Sequence, residues 1–323
     1  MIKRKSLEAP EAFVLRLTLA VAGLCLVLVS VRGAVVDLQA YSLGIGGAMI
    51  LFIAGLGYRI SGRDARIGAT LVCASLFILF TISLSLFNYL LLPHWSPTID
   101  GALARIDEAM FGYRWPDLVA WSAGHPLLNE TMRYAYLSTL PQIAVLLALL
   151  GLSGRTQAMY GLMVSIAVAG LATVCFWGFF PSLGPSAIFD LPSDILAAAD
   201  PVVGPDYGQT ILDLFARGAP VLSPDEIRGL IAFPSFHVVL ALAAVYYSRD
   251  VAWAFPVYLA INLFVMPGVL VHGGHHVVDI PAGAVTFAAS AFLAARMHKS
   301  VEQPAQAEFG AVPAERSAET LAT

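Results

Sequence analysis

Two histidines and one aspartate near the end of the sequence have the residue types and the spacing for group-transfer chemistry. His237 closes the polar piece 233–237 (FPSFH), and His275 and Asp279 belong to the piece 272–279 (HGGHHVVD). If the second piece is helical, His275 and Asp279 stand at i and i+4, on one face and within side-chain reach. Two imidazoles and a carboxylate suit covalent transfer of a charged group, because one nitrogen attacks, the other protonates the leaving oxygen, and the acid fixes the tautomer.

Long apolar segments position these two pieces. Of the 323 residues, 58% are hydrophobic and only 12% are charged, whereas charged residues make up roughly 25% of a soluble domain. The sequence therefore predicts an all-α, polytopic transmembrane helical bundle. About eight apolar stretches approach the ~20 residues that a bilayer helix needs. They are 12–31, 40–60, 67–92, 134–152, 157–180, 232–247, 251–271 and 276–296.

The distribution of charge predicts how this bundle is oriented. Basic residues occur at the N-terminus, in the turn 59–66, at Arg155, at Arg249 and in the segment 296–299. Acidic residues dominate the long segment 181–231. By the positive-inside rule both termini are cytoplasmic, and the two polar pieces lie on the external (periplasmic or lumenal) side of an inner or plasma membrane. The net charge of -4, without a basic stripe, does not indicate nucleic-acid binding.

Two further segments have a mixed composition. The segment 93–132 carries Trp95, Trp115 and Trp121 among polar residues, which is typical of amphipathic helices in the membrane interface. It could be a lid or strut for the bundle, or it could admit a lipid. At the start of the long external segment, the stretch 181–186 (PSLGPS) could turn backbone N–H groups toward an anion.

The two polar pieces resemble motifs of the type-2 phosphatidic acid phosphatase (PAP2) superfamily of membrane phosphoryl-transfer enzymes. The second motif of that superfamily is Pro-Ser-x-His, as at 234–237, and its third motif ends in Gly-x-His-x-x-x-Asp, as at 273–279. The resemblance covers roughly the span 134–296. Each motif alone would be a weak match, whereas the pair is moderately specific.

The resemblance implies roles for the residues that match. His275, oriented by Asp279, would form a phosphohistidine, and His237 would protonate the departing alkoxide. The resemblance also implies chemistry without a metal or another cofactor. The residues alone leave a zinc site open, since His272 and His276 lie beside His275 and imidazoles with a carboxylate can bind zinc.

The sequence departs from the phosphatase pattern in its cations. It has no Lys-x6-Arg-Pro motif, and the position six residues before His275, where phosphatases carry arginine, is Val269. A phosphate still needs positive charge or N–H donors. The candidate cations are Arg217, Arg228 and Arg133. The predicted phosphate-binding residues are Arg217, Ser235 and Gly274, with a solvent or headgroup role as the alternative for the arginine. In lacking the phosphatase arginines, the sequence is similar to the branch of inositol phosphorylceramide synthases and sphingomyelin synthases, which move a phospho-headgroup between lipids.

Together these features predict an integral membrane lipid-phosphate phosphatase or phosphotransferase that acts on a phospholipid or another lipid phosphate among membrane lipids. An inositol phosphorylceramide synthase-like transferase is the alternative. A transporter is less favoured, because the charges gather at one surface rather than at the bilayer midplane. A non-catalytic scaffold, which the missing arginines make conceivable, is also less favoured. The predicted divisions are a cytoplasmic N-terminus (1–11), helices with the interfacial segment (12–133), a catalytic transmembrane domain (134–297) and a disordered cytoplasmic tail (298–323).

Overall fold

The computed structural model describes residues 7–302, and this part of the chain consists of helices and loops without a β-strand. The all-α prediction is therefore confirmed. The α-helices of these residues are α1 (Ala9–Arg32), α2 (Leu38–Ser61), α3 (Ala65–Leu90), α4 (Asp100–Phe111), α5 (Trp115–Ala123), α6 (Pro126–Leu137), α7 (Thr139–Leu152), α8 (Thr156–Phe179), α9 (Ser193–Ala199), α10 (Pro205–Arg217), α11 (Phe236–Ser248), α12 (Ala254–Val271) and α13 (Asp279–Glu302).

Six helices of the described part are long and apolar enough to cross a bilayer, namely α1, α2, α3, α8, α12 and the first 19 residues of α13. Helices α6 and α7, bent by 51° at Ser138, would together form a seventh span. Helix α11 is apolar but has 13 residues, or about 20 Å of helix, which is short of a hydrocarbon core of ~30 Å. The polytopic bundle is confirmed, and the predicted span 232–247 corresponds to this short helix.

The core of the bundle lies where α3, α7, α8 and α11 meet. It contains the buried side chains of Leu76, Leu146, Met163 and Val239, one from each helix. Helix α11 also packs against α12 and α13. Because these three consecutive helices run alternately in opposite directions, the start of α11, the end of α12 and the start of α13 lie at one end of the bundle.

The mixed segments also form helices. The predicted interfacial segment 93–132 contains α4 and α5, and the long segment 181–231 contains α9 and α10. Helix α13 continues to Glu302, so the first residues of the predicted disordered tail are helical. The rest of that tail, 303–323, and residues 1–6 of the predicted N-terminus lie outside the described residues.

Candidate active site

His275 and Asp279 form a buried pair at the start of α13. Nδ1 of His275 lies 2.9 Å from Oδ2 of Asp279, and the two side chains are 3% and 0% exposed. We expected this pair within a helix, but α13 begins at Asp279 and residues 272–278 form a turn. The pair forms because the first helical residue directs its carboxylate back to the turn. As an acceptor, Asp279 keeps the imidazole proton on Nδ1 and leaves the Nε2 lone pair free.

The second imidazole, His237, lies beside His275 in the first turn of α11. The ring centroids are 6.0 Å apart and the ring planes are inclined by 71°. The ring of His237 also packs on Tyr136, at 4.4 Å between centroids. Helix α11 begins here because Ser235 is its N-cap, a position that serine favours, and accepts the Val238 N–H at 3.4 Å. The same hydroxyl lies 3.4 Å from Nε2 of His275.

A contact between two glycines holds the turn 272–278 against residues 182–184, which follow α8 and are called the strap. Gly184 and Gly274 have φ of +89° and +57°, values that glycine adopts without strain. A Cβ on Gly184 would clash with the carbonyl oxygen of Gly274. Among the hydrogen bonds of the described residues, none engages the N–H of Gly274. The predicted phosphate ligand Gly274 therefore offers a free donor next to His275.

His276 belongs to a separate buried cluster with two aspartates of α4. Its Nε2 lies 3.5 Å from Oδ1 of Asp100, and its Nδ1 lies 3.4 Å from Oδ2 of Asp107. These are ion-pair distances, longer than ordinary hydrogen bonds. Burial lowers the pKa of His276, but the two carboxylates outweigh burial and raise that pKa to about 9. Burial raises the pKa of Asp100, but His276 and three hydrogen-bond donors outweigh it and lower that pKa.

The two carboxylates of this cluster also bind the neighbouring loops. Asp100 accepts the Ser182 hydroxyl at 2.6 Å and the next two backbone N–H groups at 2.9 Å each. Asp107 accepts the two successive N–H groups of residues 277–278 at 2.8 and 3.1 Å. The stretch 181–186 thus does turn N–H groups toward an anion, but that anion is a side chain of the protein. Neither aspartate was among the predicted site residues.

Arg217, the predicted replacement cation, lies away from this group of side chains. It pairs with Asp213, one turn earlier in α10, and its side chain is 71% exposed. It lines a different cavity, together with Arg32 and Trp95. These contacts fit the alternative that we left open, an arginine at the solvent or headgroup surface.

The other candidate cations and the third histidine of the turn also have partners elsewhere. Arg133 pairs with Asp200, and the guanidinium of Arg228 lies over a tyrosine ring at 5.4 Å. Nε2 of His272 is 3.0 Å from the carbonyl oxygen of Asn129. Within residues 7–302, no group of three or more His, Cys, Asp or Glu side chains has an arrangement that could hold a metal ion.

The fold and the site define a polytopic helical membrane protein whose paired histidines and aspartate are suited to group transfer. The family model of the PAP2 superfamily matches residues 101–293, and the chain belongs to that superfamily. Its members are phosphoric ester hydrolases and transferases. Neither the search of curated proteins nor the search of solved structures returned a match. The matched region begins one residue after Asp100, so of the two α4 partners of His276 it includes Asp107 only.

Proposed function

We propose that this protein is a membrane enzyme that transfers the phosphoryl group of a lipid phosphate through a phosphohistidine on His275. The observation that carries the proposal is the hydrogen bond of 2.9 Å between Nδ1 of His275 and Asp279. An imidazole whose one nitrogen is fixed as a donor has its other nitrogen available as a nucleophile. That nitrogen, Nε2, faces the Ser235 hydroxyl, and the His237 ring lies on the same side of the bundle.

In the first step, Nε2 of His275 attacks the phosphorus of the substrate. The new N–P bond forms as the bond between phosphorus and the leaving oxygen breaks. Burial and the neighbouring His275 lower the pKa of His237 in the ligand-free protein, so His237 takes up a proton together with the anionic phosphate, which favours the charged ring. It then gives this proton to the departing alkoxide. Asp279 stabilises the positive charge that develops on the His275 ring, as the carboxylate of a catalytic triad does.

In the second step, an oxygen nucleophile takes the phosphoryl group from His275. Neutral His237 accepts the proton of the incoming hydroxyl, so that the N–P bond breaks as the new O–P bond forms. From a phosphomonoester substrate, water gives inorganic phosphate and an alcohol gives a new phosphomonoester. From a phosphodiester substrate, water gives a phosphomonoester and a lipid or polyol hydroxyl gives a new phosphodiester. Hydrolysis and transfer therefore use the same residues and differ in the nucleophile that enters.

Several donors could stabilise the negative charge on the phosphoryl oxygens. The N-terminus of α11 lies at the site, and a helix N-terminus favours anions through its free N–H groups and its dipole. The hydroxyl of Ser235 lies 3.4 Å from Nε2 of His275. The free N–H of Gly274 adds a backbone donor. Donors of this kind contribute most where water is excluded, and Ser235 and His275 are both buried.

The charges of the described residues support an external active site. Helix α11 runs from His237 at the site to Arg249, the residue after its last turn. At that opposite end, Arg66 lies beside Gly154 in the neighbouring turn, and Arg155 follows in sequence. Because basic residues favour the cytoplasmic side, we place the histidines on the external side.

Phosphoenzyme trapping tests this proposal directly. Purified protein in lipid nanodiscs is mixed with ³²P-labelled phosphatidate, quenched in alkali and examined for acid-labile label on the protein. We expect label on the wild type and none on His275→Asn, while His237→Gln should accumulate less label and release it slowly. The matched control is His125→Gln, because that imidazole is exposed at the start of α6. Turnover that survives unchanged in His275→Asn would refute the nucleophile.

A second candidate function is headgroup transfer from a phosphodiester lipid. It is favoured by the partners of the three candidate arginines, each of which contacts a side chain other than His237, His275 or Asp279. A site without an arginine suits a phosphodiester, which carries one negative charge, better than a phosphomonoester, which carries nearly two. Helix dipoles and neutral donors can balance a single charge more easily.

A donor and acceptor comparison separates the two functions. Wild-type protein is given phosphatidate or phosphatidylinositol, each with and without a ceramide or diacylglycerol acceptor. Products are followed by thin-layer chromatography. Release of phosphate from phosphatidate without an acceptor supports the phosphatase. A new phospholipid that appears only with the diester and the acceptor supports the transferase.

A further inference from the structure

We propose that His276 is a positioning residue for His275, acting as a charged link between α4 and the turn that carries the nucleophile. The proposal rests on the proposed function, because it assigns a role to a residue that the chemical steps do not use. The His276 ring lies between Asp100 and Asp107, and all three side chains are 0–1% exposed.

The cluster of His276, Asp100 and Asp107 joins two loops to one helix. Asp100 binds the strap 182–184 through three hydrogen bonds, and Asp107 binds residues 277–278 through two. His276 lies within 3.5 Å of both carboxylates. Helix α4, the strap and the turn therefore form one connected polar unit, although they are far apart in sequence.

Asp279 and Tyr113 connect this unit to the nucleophile. Oδ2 of Asp279 accepts two hydrogen bonds, from Nδ1 of His275 and from the backbone N–H of His276, each at 2.9 Å. Tyr113, which follows α4, donates its hydroxyl to the carbonyl oxygen of His275 at 3.4 Å. A shift of His276 therefore moves the oxygen that fixes the tautomer of His275.

The charge of His276 offsets the charges of the two aspartates. With a protonated His276 between them, the two buried carboxylates carry one net negative charge, and without it they carry two. Like charges in a buried site repel strongly. This repulsion would displace the two carboxylates together with the loops bound to them. The remaining charged and titratable groups around His276 are Asp279 on α13 and, lining a cavity of about 350 Å³, Arg105, Glu108, Tyr113 and Arg114.

The test measures the His275 ring itself, with full-length protein labelled with ¹⁵N-histidine in lipid nanodiscs. His275→Asn assigns the His275 ring signals. We expect the wild type to show a single tautomer with a proton on Nδ1. In His276→Gln the His275 signals should report a mixture of tautomers, and kcat should fall by about 10–100-fold, the usual effect of losing an orienting partner, with KM changed by less than about 3-fold.

His276→Lys separates charge from simple packing, because it keeps a cation between the two aspartates. We expect it to retain the wild-type His275 spectrum and most of kcat, and His125→Gln should match the wild type. Unchanged His275 signals in His276→Gln, or an equal loss in the Gln and Lys variants, would overturn the positioning role. If the wild type turns over no phosphate ester, the proposed function fails, whereas the ¹⁵N spectra still decide whether His276 orients His275.

Discussion

The ring centroids of His237 and His275 are 6.0 Å apart, with the ring planes inclined by 71°. A phosphoryl group held between them would have its nucleophile on one side and its proton donor on the other, as an in-line displacement requires. The His237 ring comes from the first turn of α11 and the His275 ring from the turn before α13. The starts of these two helices meet where the Ser235 N–H donates to the carbonyl oxygen of Asp279 at 3.3 Å. Changes at this contact should therefore affect kcat more than KM.

Asp279→Asn should abolish most of the activity while preserving the fold. The amide can donate to Nδ1 of His275 and favour the wrong tautomer, a change that lowers kcat by about 10⁴ in a catalytic triad. We expect a fall in kcat of about 10³–10⁴-fold in a phosphate-release or transfer assay. Asp213→Asn is the matched control, because its side chain is 67% exposed on α10. A kcat within about 3-fold of wild type in Asp279→Asn would contradict the orienting role.

Ser235→Ala should reduce both stability and activity. It removes the N-cap of α11, which costs about 0.5–2 kcal/mol, and a hydroxyl donor near the phosphoryl group, which costs roughly 10²–10³-fold in kcat. Ser235→Thr keeps the cap and the hydroxyl and should retain more of both. Thermal unfolding and kcat are measured on all three proteins. Equal kcat in the Ala and Thr variants would exclude the hydroxyl from catalysis.

The protein should become less stable at alkaline pH, because His276 loses its proton there. The pKa of His276 is raised from 6.5 to about 9, so its contribution is fully present below pH 6.5 and is lost as the pH rises through about 9. The shift corresponds to roughly 3 kcal/mol. Unfolding midpoints measured from pH 6 to 10 should fall across this window in the wild type.

The same pH series on His276→Gln provides the control for that titration. Without the imidazole, this variant should be less stable than the wild type below pH 6.5, and the difference should shrink as the pH rises. Tyrosines elsewhere titrate in both proteins and cancel in the comparison. A constant difference in midpoint from pH 6 to 10 would mean that His276 is not charged in the folded protein.

Gly184→Ala should destabilise the turn that carries His275. The methyl group would clash with the Gly274 carbonyl oxygen, and Gly184 has φ of +89°, where alanine is strained. We expect a lower unfolding midpoint together with a loss of activity. Gly57→Ala on α2 is the control, because a Cβ there meets nothing within 4 Å, and a helix interior gains up to about 1 kcal/mol from alanine. Wild-type stability of Gly184→Ala would refute the contact.

Arg217→Ala should change KM and kcat by less than about 3-fold. The arginine pairs with Asp213 on the surface, and exposed ion pairs contribute roughly 0–1 kcal/mol. The sequence alone had suggested this residue as a phosphate ligand, which would require a large rise in KM. Steady-state kinetics with phosphatidate and phosphatidylinositol distinguish the two outcomes. A rise in KM of tenfold or more would restore Arg217 as a phosphate ligand.

The approach of His275 to Asp279 could be predicted from sequence because the spacing of four residues permits contact in several backbone conformations. It forms here in a turn before α13 rather than within a helix. The convergence of His237 with this pair follows from the alternating direction of α11, α12 and α13. The spacing of His275 and Asp279 and the alternating directions of the helices were thus enough to predict that these two residues and His237 lie together.

The cluster around His276 could not be predicted in the same way. Asp100, Leu103 and Asp107 recur at i, i+3 and i+7 and are all buried, which marks one inward face of α4. That pattern was visible, but acids on an amphipathic helix usually face water. Only the tertiary position of His276 explains why these two are inside. The 51° bend between α6 and α7, by contrast, has a local sequence signal, because Pro141 cannot donate a hydrogen bond to the carbonyl oxygen four residues earlier and its ring crowds that carbonyl.

The attachment of the nucleophile's turn to Asp107 has a practical consequence for dissecting the chain. A fragment that starts at the first residue of the predicted catalytic domain, residue 134, would lack both α4 carboxylates. It would leave His276, four backbone N–H groups and the Ser182 hydroxyl without these acceptors. A minimal active fragment should therefore begin upstream of Asp100. Supplying α4 as a separate peptide should restore activity to the shorter fragment.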